Sequence, residues 1–444
     1  MKIRTLIIAL ASASLTAAGQ TLEECQQAAE RNYPLIRQYG LIEKTTALTL
    51  QNIQKGWLPQ VSASAQVTYQ SDVVSFPDEM RMMLQQTGID MKGLTKDQYR
   101  LGIDVQQTVF DGFAIKNQKQ VARQQGELQK AQTEVTLYQV RRRVNEMYFG
   151  LLLLDEQILL NRDMQVLLEG NERKLQSMVK SGTAAESDWQ SVKAERLNVE
   201  QQATSLASQK RMLQALLGAL CGIEVKGAVK PAGAAKLSQP TERQAGLQTE
   251  QQAGQQAGVS AMQRPEMRLF DAQLRLADAQ EKALNAALMP KLGVFAQGFY
   301  GYPGLNMFED MKSRGWSLNG LIGARLTWNI GALYTRKNDK AKLQLQRELT
   351  ATDREVFLFN NRLEQIQQNE EVARYRKLMA EDEEIIALRT AVRKAAESKL
   401  SHGIIDVNDL VREISQENAA RVQQSMHEIE MLKQIYDNKF TTNN

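Results

Sequence analysis

Two long stretches without proline dominate the pattern of apolar and polar positions along the chain. The first runs from Gly112 to Ser181 and the second from Gly331 to Leu400. Within the first, apolar residues recur at alternating steps of four and three, the spacing of a coiled-coil seam; they are Val140, Val144, Met147, Leu151, Leu154 and Ile158. An unbroken helix of this span would be roughly 100 Å long, well beyond the usual range of about 8–20 residues. We therefore predict one rod-like helix in each stretch.

The residues around these rods extend the helical pattern. Four polar residues lie outside the first seam: Arg141, Arg142, Asn145 and Glu146. The second rod carries one apolar stripe, formed by Leu349, Val356, Leu363 and Ile366. We predict a helical stretch before the first strand, at Thr21–Lys55, and a returning helix after each rod, at Asp188–Leu220 and Leu410–Phe440. Ser187 with Gln190 three residues later resembles a capping box at the start of the first returning helix.

Four shorter stretches alternate apolar and polar residues, which is typical of strands with two different faces. They are Val61–Gln70, Arg100–Phe110, Leu292–Gly301 and Trp316–Trp328, with loops at Ser71–Gln98 and Tyr302–Gly315. Each strand has roughly the ten residues that cross a bilayer when tilted. We expect one face to meet lipid, through Val61, Ala63, Ala65, Val67, Leu101, Ile103 and Val105. Four such strands would need further copies of the chain for closure, and periodicity leaves eight or twelve strands open.

The order helix, strand, loop, strand, rod, turn, helix occurs twice, which indicates an internal duplication. We assign residues 20–222 to the first repeat and 264–444 to the second. The turn glycines Gly182 and Gly403 stand at equal distances from Asp188 and Asp409. Residues 223–263, with their Gln/Ala/Gly tract, are predicted to be an irregular linker.

Composition narrows the function. Residues 1–19 have the basic, apolar and small-residue regions of a secretory signal peptide. A net charge of only +4 gives no reason to expect nucleic-acid binding. The two histidines, His402 and His427, and two distant cysteines form no zinc-ligand pattern, and no catalytic triad or phosphate-binding loop is evident. We therefore predict no enzymatic activity, no cofactor and no metal site.

The chain resembles the TolC family of outer-membrane channel proteins. The resemblance rests on Trp57-Leu58-Pro59, Val109–Gly112, Leu326–Gly331 and the turns Gly182–Asp188 and Gly403–Leu410. It implies a mainly α-helical fold with membrane strands, in which three copies form a twelve-strand β-barrel on an α-helical barrel in the periplasm. It further implies a passive outer-membrane conduit of a Gram-negative bacterium, part of a tripartite efflux or type I secretion system. The implied partners are a periplasmic adaptor, an inner-membrane RND or ABC transporter, and outer-membrane lipid.

The resemblance also implies site residues. The family's periplasmic gate lies at the two turns, and its residues correspond here to Asp406, Asp409 and Asp188. An arginine of the best-known member aligns with His402, so we do not expect its ion-pair latch. We give equal weight to the alternative that Asp406 and Asp409 cap the start of a helix. The meeting of the upper and lower helices in the family makes Cys25 and Cys221 possible neighbours and a possible disulfide; two unrelated buried thiols are the alternative.

Two other classes of protein remain open. One is a trimeric surface adhesin with a short barrel anchor and a coiled-coil stalk. The other is a cytosolic coiled-coil scaffold. The adhesin is disfavoured because its stalk runs in one direction, whereas this chain runs out and back twice. The signal sequence and the four two-faced strands oppose the scaffold.

Overall fold

A computed structural model describes residues 19–231 and 263–443. Residues 1–18 of the predicted signal peptide and residues 232–262, most of the predicted linker, lie outside the described residues. The chain divides into two compact units, each drawn from both repeats. The helical unit comprises Met1–Gly40, Ala131–Phe270 and Thr352–Asn444, and the sheet unit comprises Leu41–Lys130 and Asp271–Ala351.

The order of elements is the same in both repeats, except that the first repeat begins with two helices and the second with one. In the first repeat the elements are α1 (Leu22–Asn32), α2 (Ile36–Gln54), β1 (Gln60–Tyr69), α3 (Asp78–Gln86), β2 (Asp97–Phe110), α4 (Ala114–Lys180) and α5 (Glu186–Cys221). In the second they are α6 (Pro265–Ala286), β3 (Lys291–Tyr302), α7 (Met307–Ser313), β4 (Ser317–Thr327), α8 (Ala332–Ser401) and α9 (Val407–Thr442). The four predicted strands and both rod helices are thereby confirmed. No helix in the described ranges is long and apolar enough to cross a membrane.

The four strands form one antiparallel sheet in the order β1-β2-β3-β4. Val61 pairs with Val105, which pairs with Ala296, which pairs with Ile322. This register places the alternating apolar residues of all four strands on one face, because neighbouring strands share their side-chain alternation. Within the described sheet, β1 and β4 each have one edge without a partner strand.

The seam of α4 is confirmed as core. Val140, Val144 and Leu151 are fully or almost fully buried, together with the neighbouring Tyr148 and Phe149. Asn145, which the pattern leaves outside the seam, is also buried. Its amide accepts a hydrogen bond from Gln26 and donates one to Asp437, because α1 and α9 pack beside α4 and cover a second side of it.

Three local expectations are wrong in detail. The helical stretch Thr21–Lys55 is two helices, α1 and α2, since proline at position 34 cannot donate the backbone hydrogen bond that would continue α1. The two strand-connecting loops each contain a short helix, α3 and α7. The α7 turn begins at Asn306, whose side chain accepts from the Glu309 N–H.

Candidate functional site

The two turns of the helical unit lie on one shared hydrophobic core. Buried residues of α4 and α5 pack there with buried residues of α8 and α9: Met164, Leu168, Leu175, Val192, Val199, Ala396, Val407, Leu410 and Ile414. The ends of both helical hairpins are therefore brought together. The predicted site residues at the two turns belong to neighbouring segments, as the resemblance implies.

Both turns end their long helix in the same way. Gly182 and Gly403 adopt φ values of 75° and 70°, in the left-handed region. The residue after each glycine donates its N–H to a carbonyl five positions earlier: Thr183 to Met178 and Ile404 to Lys399, at 2.9 and 3.0 Å. This pattern is a Schellman motif, which favours glycine because a side chain is strained at that φ.

The returning helices begin with different caps. Asp406 is the N-cap of α9, and its Oδ1 accepts from the Asp409 N–H at 2.9 Å. At the first turn the N-cap is Ala185, which has no side-chain acceptor, and Asp188 Oδ2 accepts from the Ala185 N–H at 3.3 Å. The predicted capping box of Ser187 and Gln190 is therefore wrong. The helix starts at Glu186, earlier than expected, because Asp188 itself satisfies the N-cap amide.

The charges at the second turn are partly compensated. Asp409 pairs with Arg412 at 3.0 Å, one turn further along the same helix. Asp406 is exposed and makes its capping bond. His402, directly after α8, is exposed too, and its Nδ1 hydrogen-bonds the carbonyl of Ser398 in the last turn of α8 at 2.8 Å. The capping role considered for Asp406 is thus present in the structure, and it leaves one carboxylate oxygen of Asp406 available to solvent.

Further along each hairpin, an ion pair joins the rod to the returning helix. Glu172 of α4 pairs with Arg196 of α5 at 2.7 Å. Arg393 of α8 pairs with the buried Glu417 of α9, which also accepts from Thr390 at 2.8 Å and from Arg421 at 2.8 Å. Burial alone would raise the pKa of Glu417, but hydrogen bonds from Arg421, Thr390 and Arg393 outweigh it and lower that pKa.

These cross-hairpin ion pairs were not identified from the sequence. Glu172 and Arg393 each stand ten residues before their turn glycine, and Arg196 and Glu417 each stand fourteen after it. Aligning the two repeats on Gly182 and Gly403 would have shown oppositely charged residues at matching positions. Among the described residues, no group of acidic, histidine or cysteine side chains could hold a metal ion.

The two cysteines lie in the other core of the helical unit. Both are buried, and Cys221 Sγ donates to the Cys25 carbonyl at 3.3 Å. Asn32 at the end of α1 donates to carbonyls at the end of α5, so the two helices meet at their ends. Both thiols are free in the structure. The side-chain interaction with Cys221 and burial raise the pKa of Cys25, so Cys25 is a poor nucleophile at neutral pH. The disulfide stays a prediction.

In the sheet unit, the two faces of the sheet differ in chemistry. The apolar face exposes large side chains that include Val61, Val67, Leu318, Ile322 and Leu326. The opposite face carries mainly polar or small residues, such as Ser62, Gln66, Asp104, Gln297 and Asn319, with Arg100 stacked on Phe299 at 4.0 Å.

Aromatic residues mark both ends of this sheet. At the loop end, the ring of Trp316 lies 5.7 Å from Tyr99 and 5.3 Å from Tyr300. At the helix end, Phe110 and Trp328 are exposed, and Trp328 donates its indole N–H to the Leu288 carbonyl at 2.9 Å. An apolar band between two aromatic girdles is typical of strands in an outer membrane.

Solved structures share this fold at low sequence identity. The chain superimposes on CusC, described in the context of folding and transmembrane channel formation, with a TM-score of 0.67 at 12% identity, over 95% of this chain and 91% of CusC. The outer membrane protein VceC of Vibrio cholerae gives 0.65 at 10% identity, over 95% and 96%. The CmeC outer membrane channel of Campylobacter jejuni gives 0.64 at 12% identity, over 98% and 90%.

Comparison by sequence adds no relative, since neither a protein-family model nor a curated protein matches this chain. The likeness is therefore one of fold, and it extends over nearly the whole chain and nearly the whole of each neighbour. The chain thus has the fold of the TolC family of outer-membrane channel proteins.

Proposed function

We propose that this protein is the outer-membrane channel subunit of a tripartite efflux or type I secretion system, and that it carries solutes passively from the periplasm outward. One observation carries the proposal: a four-stranded sheet with one continuous apolar face and two edges without partner strands. In hydrocarbon, each unpaired backbone group along a strand edge costs roughly several kcal/mol. Such a sheet is stable in a bilayer only within a closed barrel.

Further copies of the chain supply that closure. We infer a homotrimer with a twelve-strand barrel, because the structural neighbours share the fold and the TolC resemblance implies three copies. The stripe on α8 supports assembly: Leu349, Val356, Leu363 and Ile366 are 50–65% exposed. Their coiled-coil spacing fits a neighbouring helix from another copy. On this proposal the protein resides in the outer membrane of a Gram-negative bacterium, and its helices extend into the periplasm.

The finer partners follow from the same resemblance. A channel of this kind receives cargo from an inner-membrane RND or ABC transporter through a periplasmic adaptor. The neighbours CusC and CmeC are described as channels and not as enzymes, which supports a transport role without catalysis. The proposed gate lies at the two turns, with Asp406 and Asp409 from the second and Asp188 from the first.

We also propose that Cys25 and Cys221 form a disulfide in the oxidising periplasm. Their contact and the end-to-end meeting of α1 and α5 support it. Thiol labelling under denaturing, non-reducing conditions tests the bridge. Two labelled thiols per chain would exclude it, and none would support it.

Adjacent residues on opposite faces of β1 test the proposed function. Ala63→Arg puts a charge on the apolar face, at a cost of about 2–4 kcal/mol at mid-bilayer depth, and should abolish membrane assembly. Ser62→Arg puts the same charge on the polar face, opposite Asp104, and should assemble normally. Assembly is measured as trimers in outer-membrane fractions, and conduction is measured in planar bilayers. Equal assembly of the two variants would contradict the proposal.

Electron microscopy separates the rival classes. Purified channels should appear as hollow particles with a stain-filled lumen. An adhesin stalk or a coiled-coil scaffold would appear as a solid fibre, and that image would overturn the channel assignment.

A further inference from the structure

We propose that the segment Pro303–Met307 narrows the lumen at the loop end of the barrel, where Leu305 and Met307 of each chain form an apolar collar that solutes pass. This inference rests on the proposed function, which makes the polar face of the sheet the wall of the lumen. It adds a selectivity element at the opposite end of the strands from their helical connections. Four observations in the sheet unit support it.

The first is a hydrogen bond that holds the segment over the polar face. Asn319 of β4 pairs with Phe299 of β3. The preceding residue, Leu318, is 82% exposed on the apolar face, so Asn319 lies on the opposite, polar face. The Leu305 N–H donates to Asn319 Oδ1 at 2.7 Å. Because the Asn319 side chain belongs to the polar face, the loop is tied over that face and not over the apolar one.

The second is a close backbone approach at Gly304. A Cβ on this glycine would lie 2.2 Å from the Ser317 Oγ and 2.6 Å from the Asn319 Nδ2. Real side chains do not fit at such distances, so the segment lies directly on the side chains of the polar face. The Gly304 N–H also donates to the buried Asp310 of α7 at 2.6 Å, which fixes the segment from its other side.

The third is the bracing of the loop by its neighbour. Met311 of α7 is buried against Leu94 and Tyr302. Arg314 donates to the carbonyls of Lys92 and Gly93, the latter at 3.2 Å. The loop between β3 and β4 is thus packed on the loop between β1 and β2, and the collar has a fixed position.

The fourth is what the segment faces. Leu305 and Met307 share the lining of a cavity of about 420 Å³ with Gln66, Arg100 and Phe299, all from the polar face. Leu305 is 57% exposed and Met307 is 47% exposed, so both present apolar surface to this open space. An apolar constriction in an aqueous pore hinders hydrated ions by dewetting. It therefore favours solutes with apolar groups over small hydrated ions.

Cysteine accessibility in planar bilayers tests the collar. Full-length Leu305→Cys channels are treated with a negatively charged methanethiosulfonate reagent from either side. Adding a charged group at a constriction should lower the current in steps, to a loss of about half or more, because the group occupies and charges the narrowest aqueous space. Leu318→Cys, at the same end of the sheet but on the apolar face, is the matched control and should keep its current. The parent, with its two buried cysteines, should also be insensitive.

The outcomes separate the two proposals. Full current in Leu305→Cys channels that mass spectrometry shows to be modified would overturn the collar and leave the channel function standing. Equal block of Leu318→Cys would overturn it as well. If Leu305→Cys does not insert, Met307→Cys takes its place with the same expectation. Absence of conduction by the parent protein would overturn the proposed function, and the collar with it.

Discussion

The turn at Gly182 and the turn at Gly403 have the same backbone but different electrostatics. Each glycine is left-handed and each turn closes with the same pair of backbone hydrogen bonds. The cross-hairpin ion pairs occupy equivalent positions with exchanged signs, Glu172 to Arg196 in one hairpin and Arg393 to Glu417 in the other. Both hairpins therefore carry complementary charge at this level, with opposite polarity.

The two ion pairs also differ in depth. Side-chain exposure is 17% for Glu172 and 28% for Arg196, against 14% for Arg393 and 8% for Glu417. Arg421 and Thr390 add further hydrogen bonds to Glu417. Breaking the more buried pair leaves a less solvated charge and more unmatched donors. We therefore expect the second hairpin to lose more stability than the first when its ion pair is broken.

The largest effect is expected from deleting the carboxylates. Glu417→Ala removes the shared acceptor of Arg393, Thr390 and Arg421, leaves Arg393 paired only with Glu397 of its own helix, and should destabilise the helical unit by about 2–3 kcal/mol. Glu172→Ala, the matched change in the first hairpin, should cost about 1 kcal/mol or less, because its pair is more exposed. Denaturant unfolding of detergent-solubilised protein, followed by circular dichroism, measures both. Equal losses would show that burial does not distinguish the hairpins.

Protonating Glu417 at low pH should also weaken the second hairpin. The pKa of Glu417 is lower in the folded protein, so its contribution is present above the ordinary glutamate pKa of about 4.3 and is lost as the pH falls through the folded value. The parent should therefore lose stability on acidification more steeply than Glu417→Gln. Unfolding midpoints at neutral pH and at roughly pH 3–4 give the comparison. Parallel pH profiles for the two proteins would contradict the assignment.

The turn glycines should respond equally. Gly182→Ala and Gly403→Ala place a side chain at φ values of 75° and 70°, with no other atom within 4 Å of the new Cβ, so only backbone strain changes. We expect a cost of about 1–2 kcal/mol at each turn. Gly170→Ala inside α4 also meets open space and is the control, which should be neutral or stabilising through helix propensity. A cost confined to one turn would break the equivalence.

Substitutions at the helix caps of the two turns should change stability least. They should instead change the ion selectivity of the channel. Replacing Asp406 and Asp409 by Asn keeps most of the capping, while removing carboxylates that would attract cations at a pore mouth. Cation preference in planar bilayers should fall, with trimers intact. Ala185→Asp brings the same acid to the first turn and should raise that preference. Unchanged selectivity in both assembled variants would mean that these aspartates only cap helices.

Strands and rods could be predicted because periodicity reports which face of an element is buried. The strand boundaries agree with the alternation to within three residues, as Arg100 against Asp97 at the start of β2 shows. The burial of Asn145 could not be predicted, since it depends on two further helices that pack from distant parts of the chain. The seam pattern identifies one buried face of a helix, whereas α4 also packs against α1 and α9 on another side.

The candidate site was predictable where a residue acts on its own helix. Asp406 at the start of α9 is a cap by residue type and position. The ion pair of Arg393 with Glu417 depends on the register of two antiparallel helices, which residue types alone do not define. The cap at Ala185 was missed for a related reason. Alanine carries no capping signal, and the acceptor comes from Asp188 in the first turn of the helix.

The central pairing of the sheet has a consequence for biogenesis. Strands β2 and β3 come from different repeats, and the Thr95 N–H reaches the Tyr302 hydroxyl across 207 positions of sequence. At a synthesis rate of about 5–20 residues per second, the first hairpin is complete roughly 10–40 s before its partner strand exists. Without β3, strand β2 has an open edge and an apolar face, the combination that invites wrong strand pairing. Contacts between residues so far apart in the sequence also form slowly. Correct maturation therefore depends on keeping the first hairpin away from other chains until it pairs with the strands of the second repeat.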